Sequence, residues 1–161
     1  MSSSIFLHAE GGAGAVVHHL ITDDCIERGT KQRRYHLILL AKSEKGYVNL
    51  IKCMSHAAGH EMMYYRPRTT FAMLEQYHEG IICQSACVQG IIQQNVLDGE
   101  FGIAYEWARR FKGLFGDDFY MEIQDHGLEF RNGWNDRKLD EYLVKMAHEL
   151  DIKVIATNDF P

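Results

Sequence analysis

The chain has 161 residues, 46% of them hydrophobic and 24% charged, enough for one domain with a sizeable core and too few for a large multidomain enzyme. That usage excludes disorder and collagen-like repeats, and no apolar run nears the roughly 18 residues of a membrane span. Lysine and arginine number 17 against 22 aspartates and glutamates, a formal charge of -5 that argues against holding DNA by bulk electrostatics alone, though not against a part of a larger DNA enzyme.

The opening Met1-Ser-Ser-Ser-Ile-Phe-Leu7 has no basic region and only a short apolar stretch, so it does not read as a signal peptide. Residues 1–32 fit the rest poorly. They open Ser-rich, pass through Gly11-Gly-Ala-Gly14, and end in the polar stretch Thr22–Gln32. The glycines lack both the Rossmann spacing and the P-loop Lys-Ser/Thr, so this part is expected to be an irregular, flexible or mis-joined segment ahead of one domain over 33–161. With no secretory signal, Cys25, Cys53, Cys83 and Cys87 point to a reduced, cytoplasmic setting. Cys83 and Cys87 resemble half of a zinc knuckle whose second half is missing.

From Arg34 the pattern is regular. Tyr35–Ala41 is an apolar run of strand length. Ser43 caps a helix to about Ala58, with Tyr47, Leu50, Ile51 and Met54 as its apolar positions. Tyr64–Arg68 is a loop, since Pro67 disfavours helix at Arg66. Thr70 caps a short helix over Phe71–Tyr77, and Gly80–Ser85 is a second strand. Val88–Leu97 and Glu100–Leu114 are helices around the turn Asp98-Gly99, the second stopping near Gly116. Phe119–Gln124 alternates as a third strand, Asn135 caps a helix to about Leu150, and Lys153–Thr157 is a fourth strand. Tyr47, Trp107, Phe111 and Tyr142 fall at helical spacing and are expected in the core.

Strands alternating with helices predict an α/β fold with parallel strands. Functional groups in such folds collect at the C-terminal strand ends. That rule selects Ser85–Cys87, Gln124–His126 and Asn158-Asp159. His36 differs, lying at the start of an apolar strand. His36, Cys87 and Asp159 together make a plausible set of soft and borderline metal ligands. His18, His19, His56, His60, His78 and His148 read as surface, turn or irregular-segment residues. Arg66 and Arg68, beside Tyr64 and Tyr65, are the best local candidates for a phosphate or DNA contact. No residue is assigned as catalytic.

These residues also carry a resemblance. Arg34–Lys42, Gly46–Ile51, Tyr64–Arg68, Glu79–Cys87, Phe115–Tyr120, Glu122–Gly127 and Ala156–Asp159 resemble, in order and approximate spacing, the polymerase-and-histidinol-phosphatase (PHP) domain of bacterial DNA polymerase III alpha subunits. The resemblance implies part of a distorted (β/α)7 barrel whose rim holds metal ions. It matches His36 to the His after Arg-Tyr, Cys87 to the Ser-Ala-Cys position and Asp159 to the closing Asp-x-His, where Pro161 stands in place of the last His. The family's His-x-His, Thr-Asp-His and Glu ligands have no recognisable copy, so a zinc, manganese or magnesium site is expected to be incomplete.

The resemblance further implies a fragment of the replicative polymerase alpha chain, cut from something longer and lacking the polymerase palm. Its role would be structural or partly metal-binding. The implied partners are the rest of that chain, other replisome subunits, and DNA through the parent enzyme, with no membrane. The alternatives are a stand-alone PHP-type metal-dependent phosphoesterase, which needs the missing His-x-His, and a partner-binding remnant.

Overall fold

A computed structural model describes the backbone of residues 15–20, and residues 34–59 and 68–157 in full. The chain divides into two compact units, residues 1–83 and 84–161.

In the first unit, strand β1 (Ala15–Leu20) runs antiparallel to β2 (Tyr35–Ala41), with Leu20 opposite Tyr35 and Ala15 opposite Leu40. β2 lies between β1 and β3 (Ile81–Gln84). Two expectations change here. Residues 15–20 are a strand rather than part of an irregular segment, and this strand is not parallel to its neighbour. The ends of β1 and β2 that are closest in sequence face each other, which is hairpin-like pairing, and Val16 and Val17 supply the β-branched character a strand favours.

Ser43, in extended conformation, accepts a hydrogen bond from the Gly46 N–H at 3.1 Å and starts α1 (Glu44–Ala57). The helix buries Gly46, Asn49, Leu50, Cys53 and Ala57. Tyr47 and Ile51, expected in the core, are each 44% exposed. The reason is a backbone contact. Gly46 lies so close to Gly80 that a Cβ on it would stand 1.8 Å from the Gly80 carbonyl oxygen. The Lys42 N–H donates to that same oxygen at 2.8 Å, and Asn49 Nδ2 donates to the Glu79 carbonyl at 2.9 Å. The glycine face of α1 must therefore turn inward. After α1, the Arg68 N–H donates to the Ala57 carbonyl, and Thr70 caps α2 (Phe71–Tyr77), which buries Phe71 and Leu74.

The second unit holds α3 (Ile91–Leu97), α4 (Phe101–Phe115), β4 (Phe119–Ile123), α5 (Asp136–Glu149) and β5 (Lys153–Ala156). β4 and β5 are parallel, as a strand–helix–strand connection requires. Buried Ala104, Trp107, Ala108, Phe111 and Phe115 recur along α4 at helical spacing, and Phe111 stacks on Phe119 with ring centroids 5.3 Å apart. Asn135 caps α5 by accepting from the Lys138 N–H. Tyr142 is only half-buried and packs beside Phe101 and Trp134 instead of entering the core. The α3 helix starts three residues later than expected. Ala86 has φ +63°, and the Gly90 N–H closes a turn onto the Cys87 carbonyl before the helix begins. No helix among the described residues is long and apolar enough to cross a membrane.

The Gly46 contact reverses an ordinary rule. Glycine to alanine within a helix normally stabilises by about 1 kcal/mol. Gly46→Ala should instead destabilise by about 1–3 kcal/mol or more, because the atom it strikes is backbone. Gly102→Ala in α4, where a Cβ meets nothing within 4 Å, should be neutral or stabilising. Urea denaturation of both variants measures the difference.

Candidate functional site

The polar groups of the second unit gather where the chain leaves β3 and β4. Ser85 is only 2% exposed. Its N–H donates to the Tyr120 carbonyl at 3.1 Å, and its Oγ accepts from the Glu122 N–H at 2.9 Å and from Gln93 Nε2 at 2.8 Å. Gln93 Nε2 also donates to the Ala86 carbonyl at 2.9 Å. Gly90 makes this arrangement fit, since a Cβ there would lie 2.1 Å from the Ser85 carbonyl oxygen and 2.3 Å from Gln93 Oε1.

Glu122, also 2% exposed, accepts through Oε1 from Gln124 Nε2 at 2.9 Å and, in a short bond, from Thr157 Oγ1. Glu122 Oε2 and Gln93 Oε1 are buried without a hydrogen-bond partner among the described residues. Both side chains line a small pocket together with Ala86, Cys87, Gln124 and His126, backed by Leu139 and Leu143 of α5. Its innermost space, about 20 Å³, suits one water-sized group.

The α5 N-terminus holds the far wall. Asp136 Oδ2 accepts from the His126 N–H at 2.9 Å and the Leu128 N–H at 2.8 Å, which fixes the loop after β4. Asp140, one turn on, also lines the pocket. Burial pushes its carboxyl up to about 6, the charges of Asp136 and Asp125 adding to the effect and the Gln124 backbone hydrogen bond opposing it.

The strand-end rule thus brings Ala86, Cys87, Gln124 and His126 around one pocket. It misses Gln93, Glu122, Asp136, Asp140 and Thr157. Only Glu122 carried a sequence signal, since it precedes Gln124 by two residues in an alternating strand. His36 is half-buried on β2 in the first unit, Cys87 is half-buried in the second, and Asp159 lies outside the described residues. Arg68 is half-buried, and Arg66 also lies outside the described residues. Among the described residues, no three His, Cys, Asp or Glu side chains gather closely enough to hold a metal ion. Cys53 and Cys83 are fully buried, and burial raises the first thiol to about 11 and the second well above its usual value. Cys87 is the described cysteine with partial access to solvent.

Residues 12–126 match the PHP domain family. The chain is 46% identical over 125 residues to the DNA polymerase III subunit alpha of Borreliella burgdorferi, covering 78% of this chain and 10% of that protein. It is 41% identical over 137 residues to the subunit of the same name from Treponema pallidum, covering 84% of this chain and 11% of that protein. For Campylobacter jejuni the figures are 39% over 153 residues, 88% and 12%. The chain therefore spans about a tenth of the length of these relatives.

Asp140 gives the site a pH signature. An aspartate in the unfolded chain titrates near 3.8, whereas Asp140 in the fold titrates near 6. Between those values the folded chain retains a proton that the unfolded chain releases, so stability falls as pH rises through this window. Asp140→Asn keeps an acceptor for the Gln124 N–H. It should unfold at a higher temperature than the parent chain at about pH 7.5 and at nearly the same temperature below about pH 4. Thermal melts at the two pH values check this.

Proposed function

Because the chain belongs to the PHP domain family, we propose that it forms part of the PHP domain of a bacterial replicative DNA polymerase alpha chain, with a structural and partly metal-binding role. The observation that carries this reading is the 39–46% identity to three DNA polymerase III alpha subunits across 78–88% of the chain. The α/β elements are then sectors of a distorted (β/α)7 barrel. The partners are the rest of the alpha chain and, through it, DNA and the other replisome subunits in the cytoplasm. Arg66 and Arg68 would serve as phosphate contacts. A stand-alone phosphoesterase draws no support from these relatives, each of which is named as a polymerase subunit.

Within that domain, His36, Cys87 and Asp159 would hold a divalent ion. The chemistry of the donors fits. The sealed thiols of Cys53 and Cys83 are held protonated, whereas Cys87 has access to solvent and so can serve as a thiolate ligand. An imidazole, a thiolate and a carboxylate suit zinc better than magnesium or manganese, which favour oxygen donors. A bound ion of this kind supplies a Lewis acid for a phosphate oxygen. The three residues would supply its ligands.

After dialysis the chain should retain at most one weakly held divalent ion, and the double variant His36→Ala/Cys87→Ala should retain less. Two or more tightly held ions, or retention unchanged in the variant, would show the ligands wrongly placed. Primer extension by the 161-residue chain with all four nucleotides should stay at background. Extension that persists after removal of host polymerases would overturn the assignment of a non-catalytic part.

A further inference from the structure

We infer that Asn132 is a spontaneous modification site: it deamidates through Gly133 when its loop undocks from α3, and the conversion then prevents redocking. Five asparagines occur in the chain, and only Asn132 is followed by glycine. The backbone nitrogen after an asparagine can attack the side-chain amide carbon, and glycine, having no Cβ, leaves that nitrogen open to do so. Asn132 and Gly133 are both exposed. Both are left-handed, with φ +59° and +74°, in the connection between β4 and α5 that also carries His126 and Leu128 of the pocket.

Water is the only co-reactant. The Gly133 nitrogen, giving its proton to solvent, bonds to Asn132 Cγ. The Cγ–Nδ2 bond breaks, and ammonia leaves with a proton taken from water. A second water opens the five-membered imide at either carbonyl, giving aspartate or isoaspartate, and nothing is oxidised or reduced. Asp98-Gly99 is the other pair suited to imide closure. There the Asp98 carboxylate is ion-paired to Arg131 at 2.7 Å, which disfavours attack on it, and the Gly99 N–H is engaged by the Val96 carbonyl at 3.0 Å.

The fold uses the very group that the reaction removes. Asn132 Nδ2 donates to the Leu97 carbonyl at 3.0 Å, in the last turn of α3, where a helix has no internal donors left. Arg131 donates through Nε to Asp98 Oδ1 at 2.8 Å and through Nη2 to Gln94 Oε1 at 3.0 Å. These two residues hold the connection on the end of α3, and while it is docked the Leu97 bond restrains Asn132 Cγ. A carboxylate at this position has no proton to donate and sets a negative charge at the negative end of a helix. Isoaspartate also adds a methylene to the main chain, inside the turn that the Trp134 N–H closes onto the Arg131 carbonyl at 3.2 Å.

The test is incubation of the full chain in mildly alkaline buffer, with and without urea, followed by proteolysis and mass spectrometry to count the exchange of NH2 for OH at each asparagine. Asn132 should convert ahead of the other four, and about tenfold or more faster in the unfolded chain than in the folded one, equivalent to about 1.4 kcal/mol of protection. Arg131→Ala undocks the loop and leaves the Asn-Gly pair intact, so it should speed conversion in the folded chain by about threefold or more. Earlier conversion of another asparagine overturns the site. Equal rates with and without urea, or an unchanged rate in Arg131→Ala, overturn control by docking. Asn132→Asp, which carries the aspartate product, should melt at a lower temperature than the parent, and parent-like melting overturns the claim that conversion prevents redocking. Circular dichroism reports whether each variant folds; if Arg131→Ala does not, Asp98→Ala, which removes the ion-pair partner of Arg131, carries the same comparison.

Discussion

The buried hydroxyl of Ser85 is the point on which the second unit depends. It takes one hydrogen bond from the backbone of β4 at Glu122 and one from the side chain of Gln93 in α3. Leaving such donors unpaired in an apolar interior would cost about 1–3 kcal/mol each. The loop after β3 is therefore held in register with β4, α3 is fixed by its first turn, and Glu122 receives a set direction. Gly90 is the complement of this arrangement. Any side chain there would collide with the Ser85 carbonyl and the Gln93 amide together. The polar groups around the pocket thus stand on braced elements rather than on a loose loop.

What was legible in the sequence was local. Ser43, Thr70 and Asn135 start their helices where expected, because a cap is satisfied by an N–H only three residues away. The run from Tyr35 to Ala41 is a strand as its composition predicts. The inward face of α1 was not legible. Tyr47 and Ile51 look like core positions by hydrophobicity, but the approach of Gly46 to Gly80, 34 residues away in sequence, decides which side turns in. Strand β1 was hidden for another reason: its short Val-Val run sits between glycines and a polar stretch, and its pairing partner begins 15 residues later.

The site divides in the same way. Positions just past strand ends, Cys87, Gln124 and His126, were accessible to a topological rule and do share a pocket. Gln93 and Asp140 lie within helices whose patterns give no sign of a polar inward group. Glu122 and Thr157 find each other only because β4 and β5 run parallel with Ile123 beside Ala156. Such pairs are products of tertiary register. The family match reaches residue 126, so it includes Glu122 and Gln124 but not Thr157.

The two sealed thiols also make the first unit a reporter of its own opening. Cys53 lies on the inward face of α1 and Cys83 in β3, and both are shut from solvent and held as thiols. Alkylation requires a thiolate that attacks the reagent and displaces its leaving group, so neither sulfur reacts at an appreciable rate while the unit stays closed. Each modification there records a fluctuation large enough to expose the face on which α1 is seated. Mass spectrometric counting of labels at these positions over time would then measure the frequency of breathing motions directly, with no dye or engineered probe.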